Sequence, residues 1–276
     1  MTATTPTTPK PRRRWLQYSL RTLLVLMLVL GCGFGWLARQ VQRARAQREA
    51  VAALGLSLLY FERDWLGRLL GQDVSGYVAV VGPYGNTWDT DPALVHLRAL
   101  TELRELYLSD TRVTDSELVH LRRLTRLYRL SLRNTSVTDG GLVHLCRLTG
   151  LRVLTLDSTP VTDAGLVHLR GLTQLEWLHL SGTKVTDAGL VHLQGLTELR
   201  GLHLSGTKVT DAGLAHLQGL TQLEMLSLDS TQVTDAGLVH LRGLKKLYSL
   251  VLRGTQVTAA GVAELRQALP YCQITR

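Results

Sequence analysis

Seven histidines, His96, His120, His144, His168, His192, His216 and His240, stand 24 residues apart. Imidazoles in series are the side chains best suited to hold a metal or move protons. Asp115, Asp139, Asp163, Asp187, Asp211 and Asp235 recur at the same interval, and carboxylates are the usual ligands of calcium. Neither column has the geometry that this chemistry needs. A structural metal site wants converging ligands with a supporting second shell, and one imidazole per unit in a straight line does not converge. No H-E-x-x-H, phosphate-binding loop or G-x-S-x-G elbow occurs. The expectation is a protein without catalytic residues, metal or cofactor, in which duplication explains the histidine column.

What would position these columns is a unit written L-x-x-L-x-L-x-x-T-x-V-T-D-x-G-L-x-x-L-x-x-L, seen most clearly in LEWLHLSGTKVTDAGLVHLQGL from Leu175 to Leu196. A fixed period of this size means stacked supersecondary units, since no single unit can bury its own leucines. Leu178 and Leu180 alternate as in a strand, whereas Leu190, Leu193 and Leu196 recur at every third residue as on one face of a short helix. Thr186 and Asp187 stand where they can cap that helix. The histidine position points away from the inward leucines, toward a flank or the outer surface. Stacked units of this kind give an α/β solenoid with a parallel sheet inside and short helices outside.

This pattern resembles the leucine-rich repeat family over residues 91–276, in units beginning at Leu103, Leu127, Leu151, Leu175, Leu199, Leu223 and Leu247. The resemblance implies a horseshoe with a concave parallel sheet. The V-T-D-x-G-L segment is most similar to the ribonuclease-inhibitor-like and cysteine-containing branches, which implies a true helix on the convex side. The ladder position holds Thr in every unit, Thr111 to Thr255, where the family usually has Asn or Cys; a hydroxyl can still satisfy loop backbone groups.

Ahead of the repeats the chain divides by composition. Residues 1–21 form a basic tail rich in Thr and Pro and unsuited to fold. Residues 22–38 are uncharged and bracketed by Arg21 and Arg39, and are expected to be a transmembrane anchor. As a helix this run would rise about 25 Å against a hydrocarbon core of about 30 Å, with the arginines snorkelling. Val29 to Cys32 loosely resembles a bacterial lipobox, and WLQYSLRTLL resembles the opening of bacterial membrane-tethered repeat proteins. Residues 39–55 read as a helical stem and 56–90 as an N-terminal cap, with strands over 56–61 and 77–81. At the far end Ala259 takes the aspartate register, Pro270 ends a helix, and 271–275 reads as a closing strand.

Formal net charge is +9, and nine cations precede the first acid, Glu49; the remaining 22 cations are matched by 22 acids. The excess belongs to the expected membrane flank, and the neutral repeat body argues against nucleic acid as a partner. Three cysteines in 276 residues exclude a disulfide scaffold.

The residues alternating with buried leucines should line the concave face in three rows, and they vary while the scaffold repeats. From them Tyr107, Arg129, Arg133, Asp157, Trp177, His179, His203, Met225 and Asp229 are the candidate partner-binding residues, with Trp177 as the aromatic anchor. The rows span roughly 400 Å², against about 800 Å² for one side of a standard interface. The expected function is a single-pass, membrane-anchored recognition protein, repeats outside the cytoplasm, binding a protein or peptide without catalysis. The alternative is a structural spacer or envelope-organising protein with no dedicated ligand.

Overall fold

The computed structural model describes residues 36, 38–39, 42, 45, 60–62, 77–81 and 94–276. The chain forms two units, 1–42 and 43–276. In the first, the described residues Trp36, Ala38, Arg39 and Gln42 are helical and exposed.

The membrane anchor over 22–38 needs correction. Among the described residues no helix is long and apolar enough to cross a membrane. Of that run only Trp36 and Ala38 are described; the rest, including Cys32 and its lipobox, lies outside the described residues. The sequence supplies a physical reason: a run of 17 residues is at the short end of the roughly 17–25 that a span needs. With that anchor fall the transmembrane helix of the expected fold, the membrane as a partner through Thr22 to Ala38, and a single-pass, membrane-anchored protein with its repeats outside. The tail over 1–21 also lies outside the described residues.

The second unit carries one ten-stranded sheet in sequence order. β1 (Tyr60–Glu62) pairs antiparallel with β2 (Tyr77–Val81), which pairs parallel with β3 (Glu105–Tyr107). Then β4 (Arg129–Ser131), β5 (Val153–Thr155), β6 (Trp177–His179), β7 (Gly201–His203), β8 (Met225–Ser227) and β9 (Ser249–Val251) follow in parallel, each 24 residues on and in register. β10 (Gln273–Thr275) closes the series against β9.

Strands of three residues suffice because each unit presents few inward side chains. Leu175, Leu178, Leu180, Val185, Leu190, Leu193 and Leu196 of the fourth unit are all fully buried. Each such side chain contributes roughly 1.5–3 kcal/mol on leaving water, so the stack rather than the isolated unit is stable.

The outer side is less helical than the resemblance implies. Asp187–Leu190 makes one α-helical turn that passes directly into the 3-10 turn Val191–Leu193, and in the sixth unit Asp235–Leu241 is 3-10 throughout. The leucine spacing explains this. Three residues per turn is the 3-10 repeat, and it keeps all three leucines inward where an α-helix would rotate them out. Among the described residues only Ala259–Ala268 is a ten-residue α-helix, and there the inward residues shift to Val262, Leu265 and Leu269.

The conserved-looking V-T-D-x-G segment acts between units. Thr186 is the N-cap, its hydroxyl accepting from Ala188 N–H at 3.3 Å. The carboxylate expected to share that cap instead reaches forward: Asp163 Oδ1 accepts from Thr186 N–H at 2.7 Å and Oδ2 accepts from the Thr186 hydroxyl at 2.6 Å. The same pair of bonds runs from Asp139 to Thr162, Asp187 to Thr210, Asp211 to Thr234 and Asp235 to Thr258. The glycine of the motif leaves room for this clamp. A Cβ on Gly189 would collide with Asp163 Oδ1, and Gly213 and Gly237 stand likewise against Asp187 and Asp211.

The first clamped unit is built differently. At the glycine position it has Glu117, whose carboxylate accepts from Thr114 N–H and from the Thr114 hydroxyl, both at 2.7 Å. Glu117 thus supplies to its own unit what other units receive from the preceding aspartate. At the opposite end Ala259 stops the series.

The threonine ladder bonds to loop backbone, as a hydroxyl there can. Each hydroxyl donates to the carbonyl three residues back, as Thr183 does to Leu180 at 2.7 Å, and so ties a turn within its own unit. The residue before each threonine is left-handed: Asp110, Asn134, Ser158, Gly182, Gly206, Ser230 and Gly254.

Candidate functional site

Strand register lays the concave residues in the rows that alternation predicts. Cα partners run Arg129, Val153, Trp177, Gly201, Met225 along one row and Ser131, Thr155, His179, His203, Ser227 along the next. Parallel strands about 4.8 Å apart hold same-row side chains at van der Waals distance, so neighbours in a row must stack, bond or yield.

At the centre they stack. The Trp177 ring lies over β7, where Gly201 has no side chain: a Cβ there would stand inside the ring's six-membered edge. In the adjacent row the His179 and His203 rings lie parallel, with centroids 4.2 Å apart and planes 9° apart. Trp177, His179, His203 and Met225 are all half-buried, and Gly201 is buried beneath the tryptophan.

Polar groups surround this centre unevenly. Asp157 Oδ2 lies 3.9 Å from His179 Nδ1, while Asp157 Oδ1 accepts from Ser181 N–H at 2.7 Å. The carboxylate is therefore fixed beside the imidazole by the next strand's backbone. Burial holds His179 below the ordinary imidazole value, helped by His203 and Arg129 and opposed by Asp157. His203 is lowered too, by burial, again against Asp157. Both rings are neutral at pH 7, so the centre of the patch carries no charge.

Of the other candidates Tyr107 and Arg129 form one group around Glu105, and Arg133 and Asp229 stand apart from it. Tyr107 donates to Glu105 Oε2 at 2.6 Å, Tyr128 donates to the other Glu105 oxygen, and Arg129 Nε lies 3.8 Å from Glu105 Oε2. Burial and the Glu105 carboxylate push the Tyr107 phenol up to about 12. Arg129 Nε is buried without a hydrogen bond. Arg133 is exposed. Asp229 Oδ1 accepts from Arg253 N–H at 2.8 Å, the counterpart of the Asp157 bond. Alternation puts Glu105 at the head of the Arg129 row, though not among the candidate residues; Tyr128 escapes the sequence reading, since it precedes its strand and no alternation points it toward the sheet.

The seven-histidine column has a partner that the period conceals. Arg98 Nε donates to His120 Nδ1 at 2.8 Å, Arg122 Nε to His144 Nδ1 at 3.0 Å and Arg170 Nε to His192 Nδ1 at 3.1 Å. Gln194 and Gln218 amide nitrogens lie 3.1 and 2.6 Å from the corresponding atoms of His216 and His240. Cys146 occupies the donor position before His168 and gives that ring no bond. Among the described residues no group of three or more His, Cys, Asp and Glu is placed to hold a metal ion. The column is a ladder of imidazoles along the flank.

No protein-family model matches the chain, and no curated protein matches it. Among solved structures it is similar to internalin C2 from Listeria monocytogenes, with 25% identity and a TM-score of 0.59 over 76% of this chain and 90% of that one. A second internalin of the same organism, inlF, matches at 22% identity and a TM-score of 0.40 over 67% of this chain and 70% of that one, and adds no weight. The 24-residue register, the in-order parallel sheet and the likeness to internalin C2 agree: this chain has the leucine-rich-repeat fold.

Proposed function

We propose that this protein is a non-enzymatic recognition protein whose concave face binds a protein or peptide. Trp177, His179, His203 and Met225 form the centre of contact, with Tyr107, Arg129, Arg133, Asp157 and Asp229 around it. The observation that carries this reading is Trp177 laid on Gly201. The largest side chain of the face is held flat by the one residue in its row that has none, so a partner meets a surface already ordered. The neutral imidazole stack beside it extends that surface without a desolvation cost for charge.

A random peptide library displayed against the intact chain tests this. Selected peptides should bind Trp177→Ala and His179→Ala at least about tenfold more weakly, with melting temperature unchanged, as hot-spot truncation does. Peptides that bind both variants as tightly as the parent would show that the patch is not the site.

A further inference from the structure

The chain has nine histidines, and all but two belong to the flank column. The remaining two, His179 and His203, are register partners on adjacent strands, with their rings 4.2 Å apart. No other register pair on the concave face places two titratable rings in contact among the described residues. Resting on the recognition reading above, we infer that this pair makes binding at the concave face pH-dependent, tight when both imidazoles are neutral and weak when they are protonated.

The charged surroundings set how the pair takes up protons. From β5 and the turn after it come Thr155, uncharged, and Asp157, whose free oxygen is 3.9 Å from His179 Nδ1. From β4 comes Arg129, which opposes a charge on His179. From β8 and the turn after it come Ser227, buried and bonded through its hydroxyl to Ser205 at 2.7 Å, and Asp229, whose Oδ1 accepts from Arg253 N–H at 2.8 Å. The neighbours along the other rows, Trp177, Gly201, Ser181 and Ser205, carry no charge. Of these acids only Asp157 acts on the pair, and it acts on both rings. Asp157 favours a proton on either ring, Arg129 and a charged His203 oppose one on His179, and whichever ring is protonated second must take its proton beside a like charge. Burial makes both steps fall below the ordinary imidazole range, near 6.5.

A partner fitted to Trp177 and two neutral rings lies over uncharged surface. Covering a protonated ring there would strip a charge of water without pairing it, so binding must first expel the proton. Affinity then falls as pH drops through the range where the free protein takes up protons, by at most about tenfold per pH unit for each proton expelled.

Two measurements decide it. In ring-proton NMR of the intact chain, His179 and His203 should titrate below the ordinary imidazole value of 6.5, and His203→Gln should raise the His179 midpoint by removing the competing ring. Independent titration near 6.5, indifferent to the neighbour, would overturn the coupling. Affinity of a Trp177-dependent selected peptide should fall at least tenfold from pH 7.5 to 5.0 in the parent. In His179→Gln/His203→Gln that ratio should fall below twofold, whatever the affinity at pH 7.5. Should the double variant bind too weakly to follow, His203→Gln alone should show a single-proton slope.

Because the flank histidines are present in every variant, a scaffold effect of acid moves all of them alike. An equal loss in parent and variants would sink the gating and leave the recognition reading standing. Failure to obtain any Trp177-dependent peptide would sink both, with the NMR result still reporting separately on the pair.

Discussion

The V-T-D-x-G flank and the concave sheet each place a glycine beneath a neighbour's side chain, and they do so for opposite ends. Gly189 makes room for the Asp163 carboxylate, which is bonded to backbone and hydroxyl of the next unit. Gly201 makes room for the Trp177 ring, which is bonded to nothing and rests by contact. On the flank each unit from Thr138 to Thr258 receives the same pair of bonds, so a side chain is fixed by stability. On the sheet each row changes from unit to unit, so a side chain is free to be set by recognition. The histidines divide in the same way: a regular ladder on the flank, and one stacked pair on the concave face.

Glycine substitution should separate the two regions most sharply. Gly189→Ala must eject a doubly bonded carboxylate, and we expect a loss of about 3 kcal/mol from overpacking and a stranded Thr186 N–H, read by denaturant unfolding. Glu117→Gly comes next. It restores the repeat consensus yet removes the acceptor of Thr114 N–H, and should cost about 1–3 kcal/mol.

Acid gives an independent check on Glu117. Burial alone would raise its pKa, but hydrogen bonds from Ser116 and Thr114 outweigh it and hold the carboxyl at about 2, against an ordinary 4.5. A folded value below the unfolded one means that its contribution is present above about 4.5 and is lost as pH falls toward about 2. The parent should lose stability across that window more steeply than Glu117→Gly.

Gly201→Ala should differ in kind. Its Cβ meets the ring of a side chain that can swing aside, so stability should change by less than about 1 kcal/mol while peptide binding falls at least tenfold. A large stability loss would make Trp177 scaffold rather than site. Smaller still are two flank repairs. Ser230, left-handed at φ 56°, should gain about 0.5–1 kcal/mol as Ser230→Gly, since the units with glycine there pay no Cβ penalty. Cys146→Arg, filling the missing donor before His168, should add about 0.3 kcal/mol, visible as a small rise in melting temperature.

Much of this was legible in the chain. The interval from Asp115 to Asp235 marks the units, Leu178 and Leu180 mark a strand, and alternation assigns Trp177, His179 and Met225 to the exposed side of the sheet. Two readings fell short for identifiable reasons. The three-residue leucine spacing signalled a helix but is closer to the 3-10 repeat. Asp187 read as a cap because helix chemistry is local, while its acceptor atoms serve Thr210 in the following unit. Glu117 offered a signal that could have been used: one acid among glycines at a single repeat position.

Sequence by itself determined the period, the buried leucines and the composition of each row, because these follow from residue type and spacing within one unit. Only the stack decided which atoms meet. The period relates equivalent positions, yet the bonds join unlike ones, 23 residues apart from Asp to Thr and 22 from Arg to His. Side chains lean along the stack as well as across it, and that lean depends on the space a neighbour leaves. The ring of Trp177 over Gly201 and the paired imidazoles of His179 and His203 exist because adjacent units happen to supply a gap in one row and a match in the next.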